Sequence, residues 1–470
     1  MNPELAAPLM FASLVLVLLA GFPVAFSLAA VASAFAGIGV VSGSFEPAFL
    51  LAMPLRVQGV FNSDTFLAVP LFVLMGMILE RSGVAEETLL ALGRLFGRMP
   101  GGLLFATILV GSALSAITGF VSASVIAMGL IALPAMLKAG YDPKLAAGAI
   151  AAAGTLAQML PPSLLLIVLA EQMDVALVDI FHAALLPSAI LVGLYLLYVL
   201  VVTRLRPRSA PPVMEPGERL GQAVWRQALA AGGAPIALIL MILGSIYFGV
   251  AAPTEGGAIG VCGAVVIGAA RRRLGIGRLS QALSSTGVLC SGVIFLLLGA
   301  SFFTLVFRGF DGPVWIEELF ARLPAGQVPF LAFVSIGVFL LGFFLDFFEI
   351  AFIVLPLITP AARKLGIDMV WFTTLLAVIL QTSFMHPPFG IALYNLRSVA
   401  PASVPTSQIY LGAIPFLVMQ MLMVILLAAF PGIASAPAAT PALTGKELED
   451  ALRPPPLPFP DAPATPLDTK

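Results

Sequence analysis

Long apolar runs without charge recur along most of the chain. No Asp, Glu, Lys or Arg occurs in residues 5–41, 183–203, 227–254, 279–307 and 406–445. A helix needs about 20 apolar residues to cross a bilayer, and in lipid the backbone must satisfy its hydrogen bonds within its own segment. The runs therefore predict an all-α polytopic membrane protein. The period-two alternation of a membrane barrel is absent from them.

The predicted helices follow from these runs and from the polar turns between them. We expect helices at residues 7–41 (interrupted), 48–60, 66–80, 102–136, 144–170, 175–203, 225–249, 253–270, 280–307, 328–362, 371–393 and 406–431. Two of these segments, 102–136 and 328–362, are expected to fold back as re-entrant helical hairpins. The Pro- and Ala-rich residues 432–470 are predicted to form a disordered tail.

Basic residues between the helices predict the orientation in the membrane, because cytoplasmic loops carry an excess of Lys and Arg. The loop at 204–226 contains five arginines and is expected in the cytoplasm. Arg271–Arg273, Lys138 and Lys144 then fall on the same side, and the N-terminus falls outside. This orientation places Arg363 and Lys364 outside the cytoplasm, against the excess of basic residues expected on the cytoplasmic side.

Composition supports a membrane protein and narrows the chemistry. The 470 residues are 60% hydrophobic and 10% charged, with mean hydropathy +1.07, whereas soluble domains contain about 25% charged residues. The net charge of −1 gives no reason to expect nucleic acid as a partner. Cys262 and Cys290 lie in apolar runs and are predicted to be buried free thiols. We expect no cofactor beyond a coupling ion.

Two distant stretches of the sequence resemble each other. Each contains an apolar hairpin, a Gly-x-Asp turn, a helix and then Pro-Pro inside an apolar run. Asp142 precedes Pro161 by 19 residues, and Asp368 precedes Pro387 by the same 19. The predicted orientation makes the first hairpin enter from the cytoplasm and the second from outside. This is an inverted-topology repeat, an architecture of secondary transporters with the site near the bilayer midplane.

The repeat divides the chain into five parts. These are N-terminal scaffold helices at 1–65, a first repeat at 66–203, a cytoplasmic loop at 204–226, a second repeat at 227–431 and the tail at 432–470.

Each Pro-Pro pair predicts a broken helix, at Pro161-Pro162 and at Pro387-Pro388. Proline lacks an N–H and clashes with the carbonyl one turn back. Non-helical backbone at membrane depth is tolerated only where it lines a cavity or is buried in protein, and freed carbonyls and hydroxyls can ligate Na⁺. The alternative is a kink that serves packing alone. The candidate Na⁺ ligands are Gly119, Thr155, Gln158, Pro161, Gly342, Asp346, Glu349, Gln381 and Thr382.

The middle of each hairpin is polar. In the first hairpin small and hydroxyl residues cluster around Gly119, which indicates either a ligand site or close helix packing. In the second, Asp346 and Glu349 interrupt an apolar run. A charge at membrane depth costs at least about 2.5–3.5 kcal/mol on insertion scales, so it indicates function by default; the alternative is a turn that faces water. The candidate substrate contacts are Ser115, Thr118, Gly119, Ser122, Gln381, Thr382 and His386.

Several motifs together resemble the large membrane subunit of tripartite ATP-independent periplasmic (TRAP) transporters. They are FLAVPLFVLMGMILERSGV at 66–84, GRMPGGLL at 97–104, PAMLKAGYDPKLAAG at 134–148, PTEGGA at 253–258 and QTSFMHPPFGIALYNLR at 381–397. The resemblance implies an elevator-type carrier in the bacterial inner membrane. It also implies a Na⁺ gradient as the energy source, a periplasmic substrate-binding protein, and a small membrane subunit with four helices as partners.

The expected function is Na⁺-coupled import of a small organic anion, a carboxylate or 2-oxo acid. The principal alternative is a stand-alone ion-coupled carboxylate carrier that needs no partner subunit. An intramembrane enzyme is disfavoured because neither histidine has a convincing nucleophile partner in the sequence. A channel is disfavoured because the inverted repeat favours alternating access. No Walker motif follows any predicted span, so we expect no direct use of ATP.

Overall fold

A computed structural model describes residues 3–213, 222–321, 324, 326–387 and 390–434. Almost all of the predicted tail lies outside these residues, although its first residues belong to a short 3₁₀ turn at Pro431–Ala434. The described chain is helical, as the apolar runs predict. The helices are α1 (Pro3–Leu19), α2 (Val24–Val41), α3 (Met53–Phe61), α4 (Asp64–Arg81), α5 (Val84–Leu95), α6 (Gly102–Thr118), α7 (Val121–Lys138), α8 (Pro143–Thr155), α9 (Leu164–Gln172), α10 (Leu177–Leu205), α11 (Gln222–Tyr247), α12 (Pro253–Ala270), α13 (Ile276–Gly309), α14 (Gly312–Ala321), α15 (Gln327–Leu341), α16 (Phe347–Glu349), α17 (Leu355–Lys364), α18 (Met369–Ser383), α19 (Ile391–Val399) and α20 (Thr406–Ala429).

Seven helices of the described chain are long and apolar enough to cross a membrane. They are Val24–Val41, Val121–Lys138, Leu177–Leu205, Ala230–Tyr247, Pro253–Ala270, Ile276–Gly309 and Thr406–Ala429. A bent pair, Pro47–Phe61 with Thr65–Arg81, meets at 46° and could supply an eighth span. Many large apolar side chains on these helices are exposed, as expected where lipid is the solvent.

The helices pack in two groups. Helices α2, α4, α11, α12 and α13 pack on one another, and so do α6, α7, α8, α18, α19 and α20. The second group contains both predicted helix breaks and the first hairpin, and α15 packs on it through α18. The groups meet chiefly through α5, which packs on both α11 and α6, and through α4, which contacts α6 and α9.

A glycine contact joins α8 to α20 at very short distance. A Cβ atom added to Gly148 would lie 2.0 Å from the carbonyl oxygen of Gly412, and one added to Gly412 would lie 2.0 Å from that of Lys144. No larger residue fits at either position without moving a backbone. The two helices therefore meet backbone to backbone, a close approach that small residues permit.

Some helices differ from the prediction. Helices α5 and α14 were not predicted, because charged residues such as Glu87 and Glu317 interrupt the apolar pattern there. The segment predicted at 371–393, with a break at Pro387-Pro388, is interrupted there as expected, although α18 already ends at Ser383 and the next helix begins at Ile391. Both cysteines are free as expected, but Cys262 is exposed on α12 rather than buried.

Candidate substrate and ion site

The first hairpin turns at Gly119, between α6 and α7. Gly119 has φ +63°, in the left-handed region that glycine adopts without strain, and its N–H donates to the carbonyl of Ser115 at 2.9 Å. It is buried, and a Cβ atom placed on it would lie 3.7 Å from the carbonyl oxygen of Pro162. The tip of the first hairpin therefore lies against the first Pro-Pro pair, as a shared site requires.

The hydroxyl groups of this hairpin have partners on neighbouring helices. The Ser115 hydroxyl is buried and donates to the carbonyl of Ala153 on α8 at 3.0 Å. The Ser122 hydroxyl accepts from the side-chain amide of Asn395 on α19 at 2.8 Å. These bonds hold the hairpin against α8 and α19, so part of the predicted substrate set supports packing. The side chain of Thr118 is not among those that the structure describes.

The first helix break separates α8 from α9. Helix α8 ends at Thr155, a 3₁₀ turn follows, and α9 begins at Leu164. The carbonyl of Gln158 accepts from the Ser163 hydroxyl at 2.6 Å, and that of Met159 accepts from the Ser188 hydroxyl at 2.9 Å. The break thus leaves fewer free carbonyls than the sequence predicts, because nearby hydroxyls satisfy two of them.

The second hairpin has a longer tip, at residues 342–346. Asp346 is the N-cap of α16: its carboxylate accepts from the backbone N–H of Phe347, and its own N–H donates to Glu349 at 3.1 Å. This reciprocal pattern is a capping box. The structure places Asp346 at the helix start and turns Glu349 back towards it, with both half-buried.

The backbone at the start of this tip lies against the second helix break. A Cβ atom added to buried Gly342 would lie 2.9 Å from Cβ of Ser383 and 3.5 Å from Nδ1 of His386. His386 is fully buried; its ring stacks on Phe343 at 4.1 Å and meets Phe339 edge-on at 4.6 Å. Neither imidazole nitrogen has a hydrogen-bond partner among the described residues.

The hydroxyls that precede the second break bond to their own helix. Thr382 donates to the carbonyl of Ile379 at 2.6 Å, and Ser383 donates to that of Leu380 at 2.7 Å. After the break the N–H of Gly390 donates to the carbonyl of His386 at 2.7 Å. Pro388 lies outside the described residues, while Pro387 precedes that gap.

Four buried polar side chains form what we term the central polar cluster: Thr155, Tyr195, Gln381 and Gln420. The Thr155 hydroxyl accepts from the amide of Gln381 at 3.3 Å and from that of Gln420 at 3.2 Å. The Gln420 amide also donates to the Tyr195 hydroxyl at 2.9 Å. All four are 0% exposed. The cluster connects the ends of α8 and α18, so it joins the two broken helices.

The cluster is incompletely satisfied. In the described part of the protein the amide oxygens of Gln381 and Gln420 have no hydrogen-bond partner, and neither does that of buried Gln158. Buried polar atoms are nearly always paired, and an unpaired one indicates a missing ion, water or functional constraint. Sequence reasoning found Thr155, Gln158 and Gln381 but missed Tyr195 and Gln420. The available signal was an amide in the middle of an otherwise apolar span.

Most of the candidate cation ligands are neutral oxygens, and the carboxylates among them are those of Asp346 and Glu349. The described residues contain no group of three or more His, Cys, Asp or Glu side chains that could hold a metal ion. Carbonyl, hydroxyl and amide oxygens at broken helices suit an alkali cation, and transporters coordinate Na⁺ with unwound backbone of this kind. The site residues predicted as Na⁺ ligands remain predictions.

A cavity of about 270 Å³ lies between α3, α9, α13 and the second hairpin. Arg56 and Ser301 line it from α3 and α13, Glu171 lines it from α9, and Phe352 and Pro356 line it from the second limb of the second hairpin. In the predicted orientation this cavity faces outside. It provides a space next to the second hairpin with one basic and one acidic side chain at its wall.

Comparison with known proteins places this architecture in a family. The family described as "Tripartite ATP-independent periplasmic transporter, DctM component" matches residues 11–433. The C4-dicarboxylate TRAP transporter large permease protein DctM of Pseudomonas aeruginosa is 28% identical over 83% of this chain and 90% of its own. The ectoine/5-hydroxyectoine large permease protein UehC of Ruegeria pomeroyi is 26% identical over 91% of this chain and 97% of its own.

Two further matches add a longer relative and a solved structure. The isethionate TRAP transporter permease protein DctMQ of Oleidesulfovibrio alaskensis is 26% identical over 91% of this chain, which spans 65% of that protein. The crystal structure of the Alcanivorax borkumensis YdaH transporter shares the fold, with a TM-score of 0.57 at 18% identity over 82% of this chain and 89% of that one. The multi-pass helical fold and the family match over nearly the whole chain agree: this protein belongs to the large permease component family of the TRAP transporters.

Proposed function

We propose that this chain is the transmembrane subunit that moves substrate in a Na⁺-coupled, binding-protein-dependent importer of a small organic anion. The observation that supports it most is the pairing of hairpins with helix breaks. The tip at Gly119 lies against Pro162, and Gly342 lies against Ser383 and His386. Two non-helical backbone segments at each place could surround an anion and its coupling ions.

The segments that form the proposed site contain no basic side chain to bind an anion. Neither hairpin nor the helices that flank the breaks contain Lys or Arg in residues 102–137, 145–171, 327–362 and 369–396. An anion would therefore be held by tip N–H groups, hydroxyls and bound Na⁺. The relatives are named for C4-dicarboxylate, ectoine and isethionate, each of which contains an acidic group, and we extend that class to this chain as a carboxylate or 2-oxo acid.

The two helix groups suggest how access could alternate. We propose that the hairpins are re-entrant and that the second group moves as an elevator against the first, with the cavity beside Arg56 as the outer approach. A transporter fits the site better than an enzyme does, because His386 packs between two phenylalanines and has no nucleophile partner among the described residues. The expected location is the bacterial inner membrane.

The coupling ion is tested by uptake into proteoliposomes that contain the complete system, with the membrane potential clamped. An inward Na⁺ gradient should drive uptake, and addition of ATP should have no effect. Equal uptake when K⁺ replaces Na⁺ at the same voltage would rule out Na⁺ coupling.

Partner dependence is tested with the same vesicles. The purified chain alone should not accumulate substrate, because the family to which it belongs is one component of a tripartite system. Uptake at the full rate without a small membrane subunit and a periplasmic binding protein would favour the stand-alone carrier instead.

A further inference from the structure

A basic cavity of about 770 Å³ lies where α4 ends and α13 begins, far along the chain from the hairpin tips. Arg81, Arg272, Arg273 and Arg278 line it, and Glu80 is the carboxylate in its wall. Four arginines against one carboxylate leave an excess of positive charge. Because the proposed transport site contains no arginine, the chemistry of this cavity differs from that of the site.

Only one of these arginines is neutralised by an ion pair in the described structure. Arg273 pairs with Glu87 at 2.6 Å, and Glu87 also binds Arg271 at 2.8 Å. Arg81, Arg272 and Arg278 have no salt bridge within 4 Å among the described residues. Arg272 also has φ +54°, a left-handed conformation uncommon for arginine, and its guanidinium has no hydrogen bond there.

Other contacts hold the cavity wall in place. The Arg81 guanidinium donates to Gln281 at 2.8 Å and to Ser285 at 3.1 Å, which fixes it against α13. Arg278 donates to the carbonyl of Arg273 at 2.7 Å. Gly83 has φ +68°, and a Cβ atom there would lie 2.9 Å from Nη1 of Arg273. The guanidinium groups of Arg81 and Arg278 are thus held in place by the protein, and guanidinium matches the geometry of phosphate oxygens.

The cavity lies at the edge of the apolar surface. The helices beside it end or begin at the cavity itself, at Arg81 and Ile276. Large apolar side chains are exposed on the membrane-facing lengths of α12 and α13, with Val266 66%, Leu283 51% and Val288 72% exposed. A ligand with an anionic head and apolar chains would match both surfaces at once.

We propose that this cavity binds the headgroup of an anionic phospholipid from the leaflet on the basic side of the protein. The phosphate contacts Arg272 and Arg278, and the acyl chains lie along the exposed apolar residues of α12 and α13. Basic pockets between membrane helices on the cytoplasmic side bind such headgroups. Arginines that serve only to orient the protein in the membrane would need neither a cavity nor the hydrogen bonds that hold Arg81 and Arg278 in place.

The test measures lipid binding by the full chain in neutral detergent, with added phosphatidylglycerol or phosphatidylcholine. Native mass spectrometry should show retained phosphatidylglycerol, and the thermal unfolding midpoint should rise with that lipid and not with phosphatidylcholine. The double variant Arg272→Gln/Arg278→Gln should lose at least tenfold in retained lipid. The matched control, Arg204→Gln/Arg208→Gln, removes two exposed arginines from the same side of the protein and should bind as the wild type does.

Three results would overturn the proposal. One is equal lipid retention by the double variant and the wild type. Another is equal loss in the matched control, which would indicate general attraction by charge. The third is an equal rise of the unfolding midpoint with millimolar inorganic phosphate, abolished by the same double variant, which would make the cavity a site for soluble phosphate compounds. Uptake is not needed for this readout, so failure of the transport proposal would not affect it.

Discussion

Both hairpin tips reverse the chain beside a helix break, but the two tips differ in length and in charge. The first tip is short and neutral: one left-handed glycine, Gly119, reverses the chain. The second is longer and ends in a capping box made by Asp346 and Glu349. Both tips lie against a helix break, but only the second brings carboxylates near it. The comparison indicates that the first tip contributes backbone groups, while the second can contribute charge.

The strongest test of this difference removes the charge at the second tip. Asp346→Asn keeps the N-cap, since Asn caps helices as well as Asp does, and the helix should still form. If the carboxylate ligates Na⁺ or orients the tip, uptake should fall at least about tenfold, which is about 1.4 kcal/mol in activation free energy. Glu349→Gln should have a smaller effect. Uptake is measured at limiting Na⁺.

The control for this charge removal is Glu318→Gln, an exposed carboxylate on α14. Expression and membrane insertion of the Asp346→Asn protein should match wild type, because removing a charge eases insertion. If that variant transports like wild type, both tips act through backbone and hydroxyl groups alone, and the contrast between them is only structural.

The next test changes the backbone of the first tip. Gly119→Ala and Gly366→Ala both place a Cβ on a left-handed residue, with φ +63° and φ +68°, at a cost of about 1–2 kcal/mol each. Gly366 has open space around it, whereas Gly119 lies near Pro162. Both variants should unfold at lower temperature, and only Gly119→Ala should slow uptake, by several-fold. Equal uptake by the two variants would remove the first tip from the site.

A third test addresses the connection between the two breaks. Thr155→Val removes the oxygen that accepts from Gln381 and Gln420. The Gln420 amide keeps Tyr195 as a partner, but the Gln381 amide loses its hydrogen bond, and an unpaired buried amide costs about 1–3 kcal/mol. We expect a lower unfolding midpoint and a higher Na⁺ concentration for half-maximal uptake. Thr374→Val is the matched control, because that equally buried hydroxyl donates to its own helix at Val370. A change in both variants alike would indicate packing only.

The smallest expected effect concerns the carbonyls of the first break. Ser188 donates to the carbonyl of Met159, so Ser188→Ala should lower stability by about 1 kcal/mol without changing the dependence of uptake on Na⁺. Thermal unfolding and uptake at several Na⁺ concentrations would be measured together. An altered Na⁺ dependence would show that this carbonyl belongs to the ion site after all.

The sequence was sufficient for the helical membrane fold, because apolar runs in lipid permit few other structures. The pattern also placed the hairpin that turns at Gly119 and the interruption near Pro161, since glycine and proline constrain the backbone locally. It missed α5 and α14, whose charged residues conceal their apolar sides. It also placed the end of α18 beyond Ser383, because the chain stays apolar after the helix has ended.

The candidate site was less predictable than the fold. Gln381 and Thr155 were found because each precedes a Pro-Pro pair, but nothing local connects them with Gln420, on a span far along the chain. Contacts between distant helices decide which polar groups meet. The roles of Asp346 and His386 also depend on partners: a capping box for one and two phenylalanine rings for the other.

The glycine contact between α8 and α20 has a mechanical consequence for the central polar cluster. Gly148 and Gly412 lie seven and eight residues before Thr155 and Gln420, which is about 10–12 Å of helix in each case. The two helices are therefore held together at the glycine contact, and segments of nearly equal length lead from it to the Thr155 hydroxyl and the Gln420 amide, which meet. A methyl group added at Gly148 or Gly412 would force α8 and α20 apart and increase the distance between Thr155 and Gln420. If the central polar cluster holds the coupling ion, selectivity among ions of different radius would depend on a glycine that contacts none of them.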